Sequence, residues 1–79
     1  MKVTVRLYGT LRKRFSGYRA EQGLEIFIPD EATARDLLDH LKIMESLGPV
    51  VAMEGRIMKP DDKIDQGADI RIFQTVHGG

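Results

Sequence analysis

Three observations predict a two-layer α+β fold, with one main helix packed across a mixed sheet of four or five strands. Both ends of the chain alternate apolar with polar residues at the two-residue period of a half-buried strand: Val3, Val5 and Leu7 near the start, Ile70 and Ile72 near the end. Between them lies one helical stripe, Ala34, Leu37, Leu38 and Leu41. The third observation is length: 79 residues supply a single modest core, so these elements must share it.

In chain order, Val3, Val5 and Leu7 alternate with Thr4, Arg6 and Tyr8 until Gly9 breaks the pattern. Leu11, Phe15 and Tyr18 recur at near-helical spacing beside Arg12, Lys13 and Arg14, which predicts a short helical turn or packed loop ended by Gly17. Leu24, Ile26 and Ile28 form a second strand stopped by Pro29-Asp30, joined to the first as an antiparallel hairpin with a long connection. Thr33 is the expected helix N-cap. Asp36, three residues on, completes a capping-box variant and favours the positive end of the helix dipole.

Ile43 to Leu47 extend this region as a further short turn before Gly48-Pro49. Val50 to Met53 reads as a third strand, Glu54-Gly55 as a turn, and Arg56 to Met58 as a short return strand. Pro60, Asp61, Asp62 and Gly67 punctuate a loop, and Asp69 to Phe73 is the last strand. A hairpin on each side of the helix lets the first and last strands lie side by side as a central parallel pair. That arrangement is the β-grasp, or ubiquitin-like, fold. The folded domain is expected over 1–73, with 74–79 as a flexible tail.

Composition narrows the function. Twelve basic and twelve acidic residues leave a formal net charge of zero, which removes a strong field as a reason to bind nucleic acid or an anionic membrane. No cysteine is present, so disulfides, a thiolate nucleophile and thiolate-held zinc or iron–sulfur sites are excluded. No apolar run reaches the ~18 residues of a spanning helix and no secretory pattern opens the chain, so a cytosolic location is expected.

The tail holds the candidate chemistry. Gly78-Gly79 lacks side chains, adopts nearly any backbone conformation and passes through a channel too narrow for other residues. A free carboxylate on Gly79 is a handle that an enzyme can activate as an acyl adenylate. His77, the one ionisable side chain of the tail, reads as a contact residue or filler, because it has no positioned partner. Strand alternation puts Ile70 and Ile72 toward the helix, so Arg71 and Phe73 emerge on the open sheet face with Arg6 and Tyr8 of the neighbouring strand. An aromatic and arginine patch has the composition of a binding surface.

Four other features have plainer readings. His40 is expected to face solvent, and Arg12-Lys13-Arg14 to be a solvated basic run. Asp61, Asp62 and Asp65 lack the spaced ligands and closing glutamate of a calcium loop. No metal site is expected.

These residues resemble the ubiquitin-like sulfur carriers: the small subunit of molybdopterin synthase and the thiamine-biosynthesis sulfur carrier. The likeness runs through VTVRLYGTLR, ATARDLLDHL, VAMEGRIM, DQGADI and IFQTVHGG. VRLYGTLRKRF looks more like the molybdopterin type, and Phe73-Gln74 more like the thiamine type. The turn Gln66-Gly67-Ala68-Asp69 departs from the compact Asp-Gly-Asp common in the family.

The resemblance implies that the chain is a protein co-substrate, not an enzyme. A partner similar to ubiquitin-activating enzymes, an adenylyltransferase using ATP and magnesium, would adenylate Gly79. A sulfur donor of the cysteine desulfurase type would convert the adenylate to a thiocarboxylate. Thiazole synthase or the large subunit of molybdopterin synthase would consume it. The carrier itself would bind no cofactor. A ubiquitin-like protein modifier conjugated through Gly79 and a non-covalent ubiquitin-like binding module remain as alternatives.

Overall fold

The structure, a computed structural model, describes residues 1–19 and 21–74. Gly78, Gly79 and His77, the residues assigned to the tail chemistry, lie outside the described residues. Five strands form one sheet: β1 Lys2–Leu7, β2 Leu24–Phe27, β3 Pro49–Met53, β4 Arg56–Ile57 and β5 Asp69–Gln74. Their order is β2-β1-β5-β3-β4, with β1 and β5 parallel in the centre and the other pairs antiparallel. Helix α1, Ala34–His40, packs on one side. The expected β-grasp is the observed fold.

The core follows the alternation. Val3, Val5 and Leu7 of β1, Ile70 and Ile72 of β5, and Val51 and Met53 of β3 are buried on the helix side, against Ala34, Leu37 and Leu41. Leu38 is an adjustment to the expected stripe. It is only half-buried and packs at the margin of the core, while Leu37 is fully enclosed. Strand β5 continues through Gln74, one residue beyond the expected domain boundary, because Gln74 still pairs with Pro49.

Connections are held by specific hydrogen bonds rather than by long elements. The basic run sits on a 3-10 turn, Gly9–Arg14, whose Leu11 is buried. Pairing between β1 and β2 ends at Val5↔Leu24. Beyond it the Tyr18 hydroxyl accepts from Leu7 N at 2.9 Å and donates to Leu7 O at 3.3 Å, satisfying both main-chain groups.

The expected capping box is present. Asp36 N donates to Thr33 Oγ1 at 3.2 Å, and Thr33 N donates to Asp36 Oδ2 at 2.9 Å. The N–H groups of Ala34 and Arg35, which have no intrahelical partner, donate to Asp62 O at 3.0 Å and Pro60 O at 2.9 Å. Asp62 Oδ2 accepts from Lys59 N at 2.8 Å. The aspartate-rich loop thus works as structure, capping the helix. Among the described residues no group of three or more acidic or histidine side chains is placed to hold a metal ion.

Gly23 opens β2 with φ of +70°, and a Cβ built there would lie 3.0 Å from Val5 O and 3.2 Å from Thr4 Cγ2. A left-handed backbone and a rigid carbonyl neighbour penalise any side chain. Gly23→Ala is therefore expected to destabilise the fold by about 1–3 kcal/mol. Thermal denaturation measures this, and an unchanged midpoint would contradict it.

Candidate functional site: the open sheet face and the tail exit

The register of the central strands assembles the site. Leu7↔Ile72 and Arg6↔Arg71 are parallel neighbours on β1 and β5, and β3 adds Val50↔Phe73 and Ala52↔Arg71. Opposite residues share a face. Tyr8, Phe73 and Val50 therefore form one row on the face away from α1, and Arg6, Arg71 and Ala52 the next.

Tyr8 and Phe73 stack with ring centroids 4.6 Å apart and planes 16° from parallel. They are 37% and 38% exposed, so the expected aromatic surface is there, though each ring covers part of the other. Stacking also restricts the rotamers of both rings.

The two arginines differ. Arg71 is exposed and makes no ion pair among the described residues. Arg6 is half-buried: its Nε lies 3.6 Å from Asp69 Oδ1, and its Nη1 donates to Glu21 O at 3.4 Å. Two guanidinium groups at adjacent register positions repel. Asp69, two residues before Arg71, offsets that charge by holding Arg6. Of the four residues assigned to this face, Phe73, Tyr8 and Arg71 thus present themselves to solvent, and Arg6 mainly supports them.

Sequence reasoning missed Ile57, which is 75% exposed. It pairs with Ala52 and so extends the same face onto β4. A two-residue strand is too short to show alternation; only its pairing partner could have revealed the side chain's face. Phe27 is likewise 71% exposed, at the far end of the sheet opposite Lys2.

Strand β5 ends at Gln74. The Thr10 hydroxyl donates to the Gln74 side-chain carbonyl, tying the 3-10 turn to this end. Tyr8 N donates to Ile72 O at 3.1 Å, which joins the end of β1 to the last turn of β5. Gln74, the last described residue, is therefore held in place next to the Tyr8–Phe73 stack. His40 is exposed, as expected. A cleft of about 350 Å³ between α1 and the start of β3 is lined by Leu38, Ile43, Pro49 and Pro60, with Arg35, Asp39 and Glu45 at its rim. Nothing in that lining pairs a nucleophile with a base.

Comparison with known proteins agrees with this geometry. A family model described as the ThiS family matches residues 5–79. The structure described as molybdopterin converting factor, subunit 1, from Pyrococcus furiosus is 25% identical, with a TM-score of 0.72 over 95% of this chain and 98% of that one. SAMP1 from Haloferax volcanii is 16% identical, with a TM-score of 0.74 over the full length of both chains. A structure of H. volcanii small archaeal modifier protein 1 is 17% identical, with a TM-score of 0.74 over 95% of this chain and 98% of that one. At such identities the last two establish the shared fold alone. No curated protein matches the sequence. A β-grasp sheet with an aromatic open face, and a family match from Val5 through Gly79, lead to one assignment: the chain belongs to the ThiS family.

Proposed function

We propose that this chain is a sulfur carrier whose Gly79 is adenylated and then converted to a thiocarboxylate that donates sulfur in thiamine (thiazole) or molybdopterin biosynthesis. The observation that carries this reading is the family match, which runs unbroken through the Gly78-Gly79 end of a chain with no cysteine of its own to bear sulfur.

The chemistry is consistent at each step. A carboxylate is a poor electrophile, so a partner adenylyltransferase uses ATP and magnesium. The Gly79 carboxylate oxygen attacks the α-phosphorus and pyrophosphate leaves. A persulfide on a cysteine desulfurase-type donor then attacks the acyl carbon and displaces AMP. A second thiol cleaves the resulting sulfur–sulfur bond, supplying the two electrons and leaving the thiocarboxylate on Gly79 and a disulfide between the thiols. Thiazole synthase or the large subunit of molybdopterin synthase consumes the product. The carrier is a co-substrate in the cytosol, and catalysis belongs to its partners.

Intact-mass measurement after incubation with the activating adenylyltransferase of the same organism, ATP, magnesium and a sulfur source tests this. A gain of about 16 Da, sulfur for oxygen, is expected. No gain with partners that are active on another carrier would overturn the reading. A second reading, a protein modifier joined to lysines through Gly79, draws on the same fold in small archaeal modifier protein 1. It predicts thiol-resistant, higher-mass adducts on immunoblots of host lysate.

The open face is the proposed docking surface for the adenylyltransferase. Phe73→Ala is expected to weaken that complex by about 2 kcal/mol, roughly 30-fold in Kd, as loss of a central interface aromatic does. Stability should fall less, by about 1 kcal/mol, because the ring is partly exposed and its main contact is the stack on Tyr8. Titration calorimetry and thermal melts on one preparation separate the two. A large stability loss with unchanged affinity would assign Phe73 to the core instead.

A further inference from the structure

The zero net charge hides a strong separation. The first nineteen residues carry six lysines and arginines and no carboxylate; the sixty that follow carry six against twelve. The fold converts this imbalance along the chain into two poles. Because β1 and β5 are parallel, Leu7 and Gln74 end at the same edge of the domain. The 3-10 turn with Arg12, Lys13 and Arg14 follows β1 there, and its Thr10 is bonded to Gln74. Arg14 Nη2 donates to Lys42 O at 3.5 Å, which brings Lys42, just past the helix C-terminus, to the same edge.

Many of the carboxylates lie toward the opposite edge, although Asp39 and Glu45 sit near Lys42 and Pro49 at the tail edge. Asp69 and Glu54 are linked at the start of β5, where Asp69 N donates to Glu54 Oε1 at 3.1 Å. Asp30 and Glu31 follow β2, and the loop of Asp61, Asp62 and Asp65 packs against the helix N-terminus and Lys2.

Only some of the cations meet a carboxylate; among the described residues Arg19, Arg56, Lys59 and Arg71 do not. Lys2, Arg6, Arg35 and Lys63 each meet a carboxylate within 4 Å, at Glu25, Asp69, Asp61 and Glu31. Arg12, Lys13, Arg14 and Lys42 are exposed, and among the described residues none of them is paired with a carboxylate. Arg12 and Arg14 donate only to main-chain carbonyls, of Gly9 and Lys42. Four like charges gathered at one edge without carboxylate partners repel one another. They sit where the tail departs.

We propose that Arg12, Lys13, Arg14 and Lys42 form an electrostatic docking element that steers the tail pole onto an acidic protein surface surrounding the channel that receives Gly79. This rests on the sulfur-carrier reading and adds the chemistry of the partner's rim: aspartates and glutamates beside the channel mouth, apart from the apolar pocket for Phe73. Both functions are needed. The aromatic face sets how long the complex lasts, while a charged pole sets how often encounters start in the right orientation. The unpaired cations attract a negative field to the tail end, so the steering acts before contact.

The test is stopped-flow association of the carrier with the adenylyltransferase of the same organism, from about 20 to about 500 mM salt. The triple variant Arg12→Gln, Lys13→Gln, Arg14→Gln is expected to associate about 10-fold more slowly at low salt. The difference should close at high salt, with a flatter salt dependence throughout. The control Arg56→Gln, Lys59→Gln, which removes cations from the other end of the domain, should change the rate by less than about 2-fold.

Equal rates and equal salt slopes for the triple variant and the unsubstituted chain would overturn the proposal. So would an effect confined to the KM for ATP, which would mean that the basic turn meets nucleotide phosphate rather than protein carboxylates. Failure of the carrier reading is distinguishable: the unsubstituted chain would then gain no thiocarboxylate mass of about 16 Da at any salt concentration, whether or not it is adenylated. Thermal melts of the triple variant verify that the exposed substitutions leave the fold intact.

Discussion

Deleting Gly79 is expected to lower adenylation by about 100-fold or more while leaving the melting temperature unchanged. The truncated chain still ends in a glycine carboxylate, that of Gly78, so the reacting group is chemically the same. Only its position changes. One residue of extended chain spans about 3.3–3.6 Å, and the folded domain anchors the tail at Gln74, so the carboxylate falls short of the nucleotide by about that length. A near-attack arrangement requires reacting atoms about 3–3.5 Å apart, so the shortened chain cannot supply one without lifting the docked sheet face off its partner.

Stability should not be engaged, because among the described residues the buried side chains of the core all precede Phe73. Intact mass and pyrophosphate exchange measure the first quantity, and a thermal melt the second. Normal adenylation of the shortened chain would show that the active site does not hold the tail at a fixed depth.

Leu37→Ala is expected to behave in the opposite way, costing about 2–5 kcal/mol of stability. The side chain is fully buried where α1 meets the central strands, and a domain of this size has few other buried leucines to compensate. Small domains are stable by roughly 5–15 kcal/mol in total, so the loss is a large share of the margin. At about 4–8 °C per kcal/mol the midpoint should fall by at least about 8 °C. Leu38→Ala is the comparison: that residue is half-buried and lines the cleft beside Pro49, so its truncation should cost less than half as much. Equal losses for the two variants would show that the helix is rotated about its axis relative to the sheet.

Much of the fold was legible in the chain because its signals are local. Alternation in β1 and β5, the Thr33–Asp36 capping box and the Gly48-Pro49 stop each act within a few residues and survive into the structure. The face of Phe73 was legible for the same reason, since a strand's period assigns sides without knowledge of its neighbours. Ile57 was not, because β4 is two residues long and its side is set by Ala52 across the ladder. Leu37 and Leu38 are adjacent members of one stripe, and no helical periodicity says which of them points straight down.

By itself the sequence determined the β-grasp order of elements, the aromatic and arginine composition of the open face, and the Gly78-Gly79 pair on which the proposed chemistry rests. Each depends on residue type and short-range spacing. Only the tertiary structure decided which residues from distant parts of the chain act together. It stacked Tyr8 on Phe73, set Asp69 to hold Arg6 beside Arg71, tied Thr10 to Gln74, and brought Lys42 to the basic turn at the tail exit. These pairings rest on the parallel register of β1 and β5, whose paired residues, such as Leu7 and Ile72, are 65 positions apart in the chain. Hydrophobic burial chose that register because a slip of one residue would turn Ile70 and Ile72 out to solvent.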